Sequence, residues 1–229
     1  MSFTPRFTDG QPFSQPLGKI VCVGRNYAEH AKELNNPVPA APLLFIKPAT
    51  SAADLGQPLA LAKRDEPVHF ETELALLIGE RLSDASPGQA ERAVAGIGLG
   101  LDLTLRELQS RLKDKGHPWE IAKAFDGACP LSPFMALDAV PDWPALRFTL
   151  TIDGEPRQRG QVSDMLFPVP QLLAEMSRHF TLMPGDVVLT GTPAGVGVLE
   201  AGAELTFTLK GGGEDARDGG LELTTRVAG

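Results

Sequence analysis

Glu71 and Glu73 stand two residues apart in Val68-His-Phe-Glu-Thr-Glu-Leu-Ala-Leu-Leu-Ile78, a stretch that opens in alternation and ends as an apolar run. Read as one strand over Val68–Ile78, it sets both carboxylates on one face with Cα atoms about 6.5 Å apart. Two carboxylates that close share a cation, or one of them tends to keep its proton. Phe70, Leu74, Leu76 and Ile78 place the strand against a core, where an ionised group needs a partner. The plainer alternative is a solvated strand face whose charges block edge pairing. Asp102 supplies a third carboxylate. It follows the apolar run Gly96–Leu101, just ahead of a helix-start pattern, where an acid serves either a site or a cap. Three carboxylates without a nearby cysteine select a hard cation, Mg²⁺ or Mn²⁺ ahead of Ca²⁺. His69 shares the strand face and is a candidate to support the ligands.

The elements that must position these groups are mostly strands. Apolar runs predict strands at Lys19–Gly24, Leu43–Ile46 and Ile97–Leu103. A hairpin is expected from Arg147–Ile152 and Glu155–Gln161 around Asp153-Gly154. Further strands follow at Asp186–Thr190, Glu204–Lys210 and Leu221–Val227, the last two separated by the Gly-rich stretch Gly211–Gly220. Asn26, with Glu29 three residues on, resembles a capping box opening a helix of about two turns that Asn35-Asn-Pro-Val-Pro stops. Thr104-Leu-Arg-Glu107 matches the same pattern and opens a helix closed by Gly116 and Pro118. Val169–Phe180 reads as an amphipathic helix. Strands outnumber helices, and neither a βαβ rhythm nor a repeat is visible. The expectation is an α+β, mainly β chain: an N-terminal arm over 1–18, then one catalytic domain over 19–229.

Composition narrows the partners. The chain has 229 residues, 42% of them hydrophobic, enough to build a core. Its formal charge of −8 lacks the basic footprint of a nucleic-acid binder and argues against an anionic membrane surface. Cys22 and Cys129 read as buried thiols rather than a disulfide. No signal-peptide pattern or membrane-length apolar run is visible, so a cytoplasmic protein is expected.

The segments His69-Phe-Glu-Thr-Glu73, Leu99-Gly-Leu-Asp-Leu-Thr104, Lys123-Ala-Phe-Asp and Leu189-Thr-Gly-Thr-Pro-Ala-Gly-Val-Gly197 occur in this order. Together they resemble the fumarylacetoacetate hydrolase superfamily, and most closely its small acylpyruvate hydrolase branch. The resemblance runs over residues 18–210 and the final strand. It implies a mixed β-roll or sandwich of the fumarylacetoacetate hydrolase C-terminal domain type with a few helices, assembled as a homodimer. It implies Mg²⁺ or Mn²⁺ on Glu71, Glu73 and Asp102, and a lid helix carrying a His-x-x-Glu dyad at His30 and Glu33. Arg106, Gln109, Lys123 and Thr192 fall on substrate-contacting positions. Phe70 stands where the family often has a second histidine, and the stretch 211–220 is longer than the family pattern.

The implied chemistry is hydrolysis of the carbon–carbon bond of acylpyruvates such as fumarylpyruvate or acetylpyruvate, giving pyruvate and a carboxylic acid. His30 and Glu33, three apart on a helix, are neighbours, and a carboxylate beside an imidazole raises its basicity toward water. Lys123 would add positive charge at the developing oxygen or protonate the leaving carbon. The loop Gly191–Gly197 offers backbone N–H groups as an anion nest, without the Gly-Lys-Ser/Thr of a P-loop. Taken singly, each has a plainer reading: an ordinary surface ion pair, an exposed face for Arg106 and Gln109, a surface lysine, a Gly-rich turn. The same metal and enolate chemistry also fits an oxaloacetate decarboxylase or tautomerase, or an isomerase or hydratase of aromatic catabolism. A metal-stabilised binding protein without turnover is the alternative of a different class.

Overall fold

Every residue of Thr72–Ile78 is buried, and successive residues divide between two cores. Leu74, Leu76 and Ile78 join a large cluster, while Ala75 and Leu77 join a smaller one. Successive side chains of a strand point to opposite faces, so a strand covered on both sides reads as a continuous apolar run. The same sorting sends Val21 and Val23 to the large cluster and Ile20 and Cys22 to the small one.

The computed structural model describes residues 3–35, 37–61, 66–140, 142–211 and 220–229. Among them, with strands numbered along the chain, the main sheet has eight strands. Its spatial order is β2 (Leu43–Pro48), β1 (Lys19–Gly24), β12 (Val187–Leu189), β5 (Thr72–Ile78), β6 (Val94–Leu101), β8 (Cys129–Leu131) and β3 (Ala52–Asp54), with β9 (Met135–Ala136) also paired to β6. The β1–β12 and β3–β8 pairs are parallel and the others antiparallel, so the sheet is mixed. A second, antiparallel sheet runs β11 (Glu155–Gln161), β10 (Arg147–Ile152), β14 (Glu204–Lys210), β15 (Leu221–Arg226). A third joins β13 (Gly197–Val198), β4 (Val68–Phe70) and β7 (Thr104–Leu105). The helices are α1 (Ala28–Glu33), α2 (Pro87–Arg92), α3 (Arg106–Asp114), α4 (Glu120–Lys123) and α5 (Val169–His179). The fold is α+β and mainly β. No helix among the described residues is long and apolar enough to cross a membrane.

Two corrections concern the positions that carry the carboxylates. The strand expected over Val68–Ile78 is broken at Glu71: β4 belongs to the three-stranded sheet and β5 to the main one. Its antiparallel partner does the same, leaving the main sheet after Leu101 and entering the small one at Thr104. The two crossing points are tied by the Asp102 N–H donating to the Glu71 carbonyl at 2.8 Å. The side-chain amide oxygen of Gln158 takes up the Thr72 N–H at 2.9 Å. On β6, a Cβ at Gly98 would stand 2.8 Å from Ser132 Oγ, and one at Gly100 2.8 Å from Leu189. Glycine there lets neighbouring chains close on the strand just before Asp102.

The expected caps are also different. α1 starts after Tyr27 and α3 after Leu105, both without a side-chain cap. Thr104 Oγ1 donates to the Asp102 carbonyl at 3.0 Å instead. Residues of the expected arm pack down: Leu17 is buried, and Phe3, Phe7 and Phe13 lie against the smaller core. Cys22 and Cys129 are free and buried, and burial pushes both thiols up. Of the Gly-rich stretch, residues 212–219 lie outside those described.

Asn26 is fully buried and ties three segments together. Its Oδ1 accepts the Phe167 N–H at 2.7 Å, and its Nδ2 donates to the carbonyls of Thr190 at 2.8 Å and Phe167 at 3.2 Å. Asn26→Ala strands these buried groups and is expected to cost about 2–3 kcal/mol. The shift of the urea unfolding midpoint at constant slope measures it.

Candidate active site

The two sheet-switching points, together with β5, bring the acids together. Glu71, Glu73 and Asp102 are all buried, and each offers an oxygen within 4.8 Å of the others. Asp102 Oδ1 lies 2.8 Å from Lys47 Nζ but makes no well-formed hydrogen bond among the described residues. Glu73 Oε2 accepts the Gly191 N–H at 2.6 Å. An oxygen-only donor set with an underused carboxylate oxygen fits a hard divalent cation.

Electrostatics point the same way. Burial pushes the Glu73 carboxyl well above the usual range, and the Asp102 and Glu71 charges add to it against Lys123 and the Gly191 N–H. At Glu71, burial acts upward, but Lys123, Arg106 and His30 outweigh it and hold the carboxyl well below the usual range. Lys123 Nζ sits 2.8 Å from Glu71 Oε2 and 2.5 Å from Asp102 Oδ2. Burial disfavours its charge, yet Asp102 and Glu71 raise it overall. Arg106 pairs with Glu71. The Arg106 Nε–H is buried and unpartnered among the described residues, so one donor on that guanidinium is uncommitted.

A cavity of about 50 Å³ adjoins this cluster, lined by His30, Gln109, Arg106, Lys123 and Thr192 as well as the three acids. Eight of the nine residues expected to hold metal, act in catalysis or contact substrate thus meet there, and the ninth, Glu33, reaches it through His30. His30 is buried, with Nδ1 3.3 Å from Glu33 Oε2, and Glu33 Oε1 accepts the Gly195 N–H at 3.0 Å. Gly195 adopts φ +100 with no room for a Cβ, which would fall 2.0 Å from the Arg157 carbonyl. The Thr192 hydroxyl is committed: it donates to the Thr72 carbonyl at 2.9 Å and accepts from Gln158 Nε2 at 2.8 Å. His69 is half-buried on β4 and does not line the cavity. Burial and Arg106 lower its imidazole, against Glu71 and Glu107.

The sequence reading missed Lys47. It is fully buried, and its ammonium donates to the carbonyls of Ala128 at 3.1 Å, Leu103 at 3.4 Å and Lys123. The signal was a lysine at the end of Leu-Leu-Phe-Ile, in step with Phe45. Arg25, Lys113, Phe45 and Trp119 also line the cavity. Arg25 is marked by a left-handed backbone at φ 62, a conformation that concentrates at functional sites.

The chain is similar to known proteins along nearly its whole length. Residues 19–221 match the family model described as "Fumarylacetoacetate (FAA) hydrolase C-terminal". The oxaloacetate tautomerase YcgM of Escherichia coli (strain K12) is 48% identical over 219 residues, covering 95% of this chain and 96% of that protein. The mitochondrial oxaloacetate tautomerase FAHD1 of Bos taurus is 41% identical over 205 residues, covering 86% and 93%. The crystal structure of fumarylpyruvate hydrolase from Pseudomonas aeruginosa, in complex with Mn²⁺ and pyruvate, matches with a TM-score of 0.87 at 37% identity, covering 100% of this chain and 95% of that one.

Burial and the neighbouring acids push the Glu73 carboxyl up, and glutamine keeps its shape, so the substitution should leave the metal-free fold intact. Glu73→Gln is expected to weaken Mn²⁺ binding by about 100-fold or more, with cooperative thermal unfolding retained. Titration calorimetry reads the affinity, and wild-type Mn²⁺ binding by the variant would remove Glu73 from the ligand set.

Proposed function

The chain belongs to the fumarylacetoacetate hydrolase family, and on that footing we propose that it is an oxaloacetate tautomerase, moving a proton between C3 and the C2 oxygen of oxaloacetate. The observation that carries this reading is the 48% identity, over 95% of the chain, to a protein of that activity. Glu71, Glu73 and Asp102 would hold the divalent cation, Mg²⁺ or Mn²⁺. When bound, the cation supplies Lewis acidity toward a 2-oxo acid.

The remaining steps fall to the chain's own groups. His30 takes the C3 proton and returns it to the C2 oxygen, while Glu33 fixes the imidazole tautomer by accepting from Nδ1–H. The Lys123 ammonium offsets negative charge where it builds on the C2 oxygen. Arg106, through its uncommitted Nε–H, and Gln109 bind the substrate carboxylate. Because the Thr192 hydroxyl proton is engaged by Thr72, contact from that residue falls to its main-chain N–H. A cavity of about 50 Å³ holds one or two waters and not a four-carbon acid. His30 of α1 lines this cavity, and a six-residue helix, marginal by itself, can shift at small cost to widen it for substrate.

A second reading is hydrolysis of acylpyruvates, in which the same dyad takes its proton from water. The His30–Glu33 pair and the 37% identity to a fumarylpyruvate hydrolase support it. Following ultraviolet loss of the oxaloacetate enol and of acetylpyruvate in parallel, with and without EDTA, separates the two. In either reaction His30→Ala is expected to lower kcat by about 10²–10⁴-fold, and Glu33→Gln by less, with Mn²⁺ affinity unchanged. Wild-type rates in His30→Ala on both substrates would eliminate the dyad.

A further inference from the structure

Arg106, Gln109 and Lys113 fall at i, i+3 and i+7 of α3, and all three line the cavity. That spacing forms one stripe along a helix, with Lys113 about 10 Å along the axis from Arg106. The Arg106 end is occupied by its ion pair with Glu71. At the other end solvent reaches Lys113, whose Nζ stands 5.2 Å from the centroid of the Trp119 ring. Trp119 packs edge-on against Phe45 at 5.1 Å, and Lys123 Nζ lies 5.4 Å from the Phe45 centroid. One wall of the cavity is therefore an aromatic pair with an ammonium group at each end. The inner ammonium is neutralised by Glu71 and Asp102. The outer one has no ion-pair partner among the described residues.

We propose that Lys113, held on the Trp119 face, is a specificity-determining residue that binds the distal carboxylate of a dicarboxylic 2-oxo acid. The proposal deepens the tautomerase reading and rests on it for the choice of substrate. Charge supports it: Arg25, Arg106, Lys113 and Lys123 outnumber the three cavity carboxylates before any cation is added. A site so biased favours a dianion over a monoanion. Partial burial and the facing cations Lys123, Arg25 and Arg106 push the Lys113 ammonium down to about 8 against the pull of Glu71. A second carboxylate arriving there relieves that crowding. The cation–ring contact fixes a flexible side chain at the cavity mouth, which lowers the ordering cost of binding.

The test uses the Mn²⁺-loaded protein and two ligands blocked from enolising, 3,3-difluoro-oxaloacetate and 3,3-difluoro-2-oxobutanoate. They differ by the distal carboxylate against a methyl group. Calorimetry on wild type should give a preference of about tenfold or more for the dianion, the factor that one well-placed charged contact supplies. Lys113→Gln should reduce that ratio to about twofold or less with monoanion affinity kept, and Lys113→Arg should restore it. An unchanged ratio in Lys113→Gln, or equal weakening of both ligands, would overturn the assignment. The readout needs no turnover. A wild-type protein that binds the dianion through Lys113 yet leaves oxaloacetate unconverted would sink the tautomerase reading and not this one.

Discussion

Three carboxylates buried within 4.8 Å of one another repel strongly in a poorly screening interior, and the surrounding structure is organised to meet that repulsion. Lys47 and Lys123 enter from β2 and α4, Arg106 from the start of α3, and the Gly191 N–H from the loop after β12. Each compensating group needs its own support. Lys47 is satisfied by carbonyls of the segments around Leu103, Lys123 and Ala128, which fixes the chain on both sides of α4. The acids thus dictate where the connections run. The sheet exchange at Glu71 and Asp102 is the device that points acids from two neighbouring strands at one spot.

The local part of this design is legible in the sequence. The hairpin Arg147–Ile152 with Glu155–Gln161 lies where alternation and Asp-Gly put it, because turn chemistry and strand period are encoded within a few residues. Glu71 and Glu73 were readable as a pair because a two-residue spacing in an apolar setting is a local pattern. The break at Glu71 was not, since nothing in Val68–Ile78 says that Gln158, 86 residues away from Thr72, will take the Thr72 N–H. The caps at Asn26 and Thr104 were misread for the same reason. Both side chains are good capping groups, and both found partners elsewhere. Lys47 shows the limit of hydropathy, which reads a lysine as a surface residue until carbonyls that only the fold assembles are seen around it.

The chain is similar along nearly its whole length to proteins named for different small acids, an oxaloacetate tautomerase and a fumarylpyruvate hydrolase. That is what a division of labour between a fixed charged floor and an exchangeable wall produces. The floor is built from β5, β6 and the crossing points, all deep in the core, where substitution disturbs several partners at once. The wall and roof are α1, the part of α3 beyond Arg106, and the aromatic pair, elements with a solvent side, where reach and charge can change while the Arg106–Glu71 pair stays in place.

Glu33 spends its two oxygens on two different neighbours, the imidazole of His30 and the N–H of Gly195. Gly195 is pinned against the Arg157 carbonyl, so the second bond exists only while α1 is seated. If the helix lifts as proposed, Glu33 loses the Gly195 N–H that aims it and the imidazole loses a fixed tautomer. In the proposed mechanism the proton acceptor would then be disarmed while α1 is raised and armed again when it is seated. A single carboxylate would act in this way as an interlock, tying the readiness of the proposed proton acceptor to the seating of the helix above it.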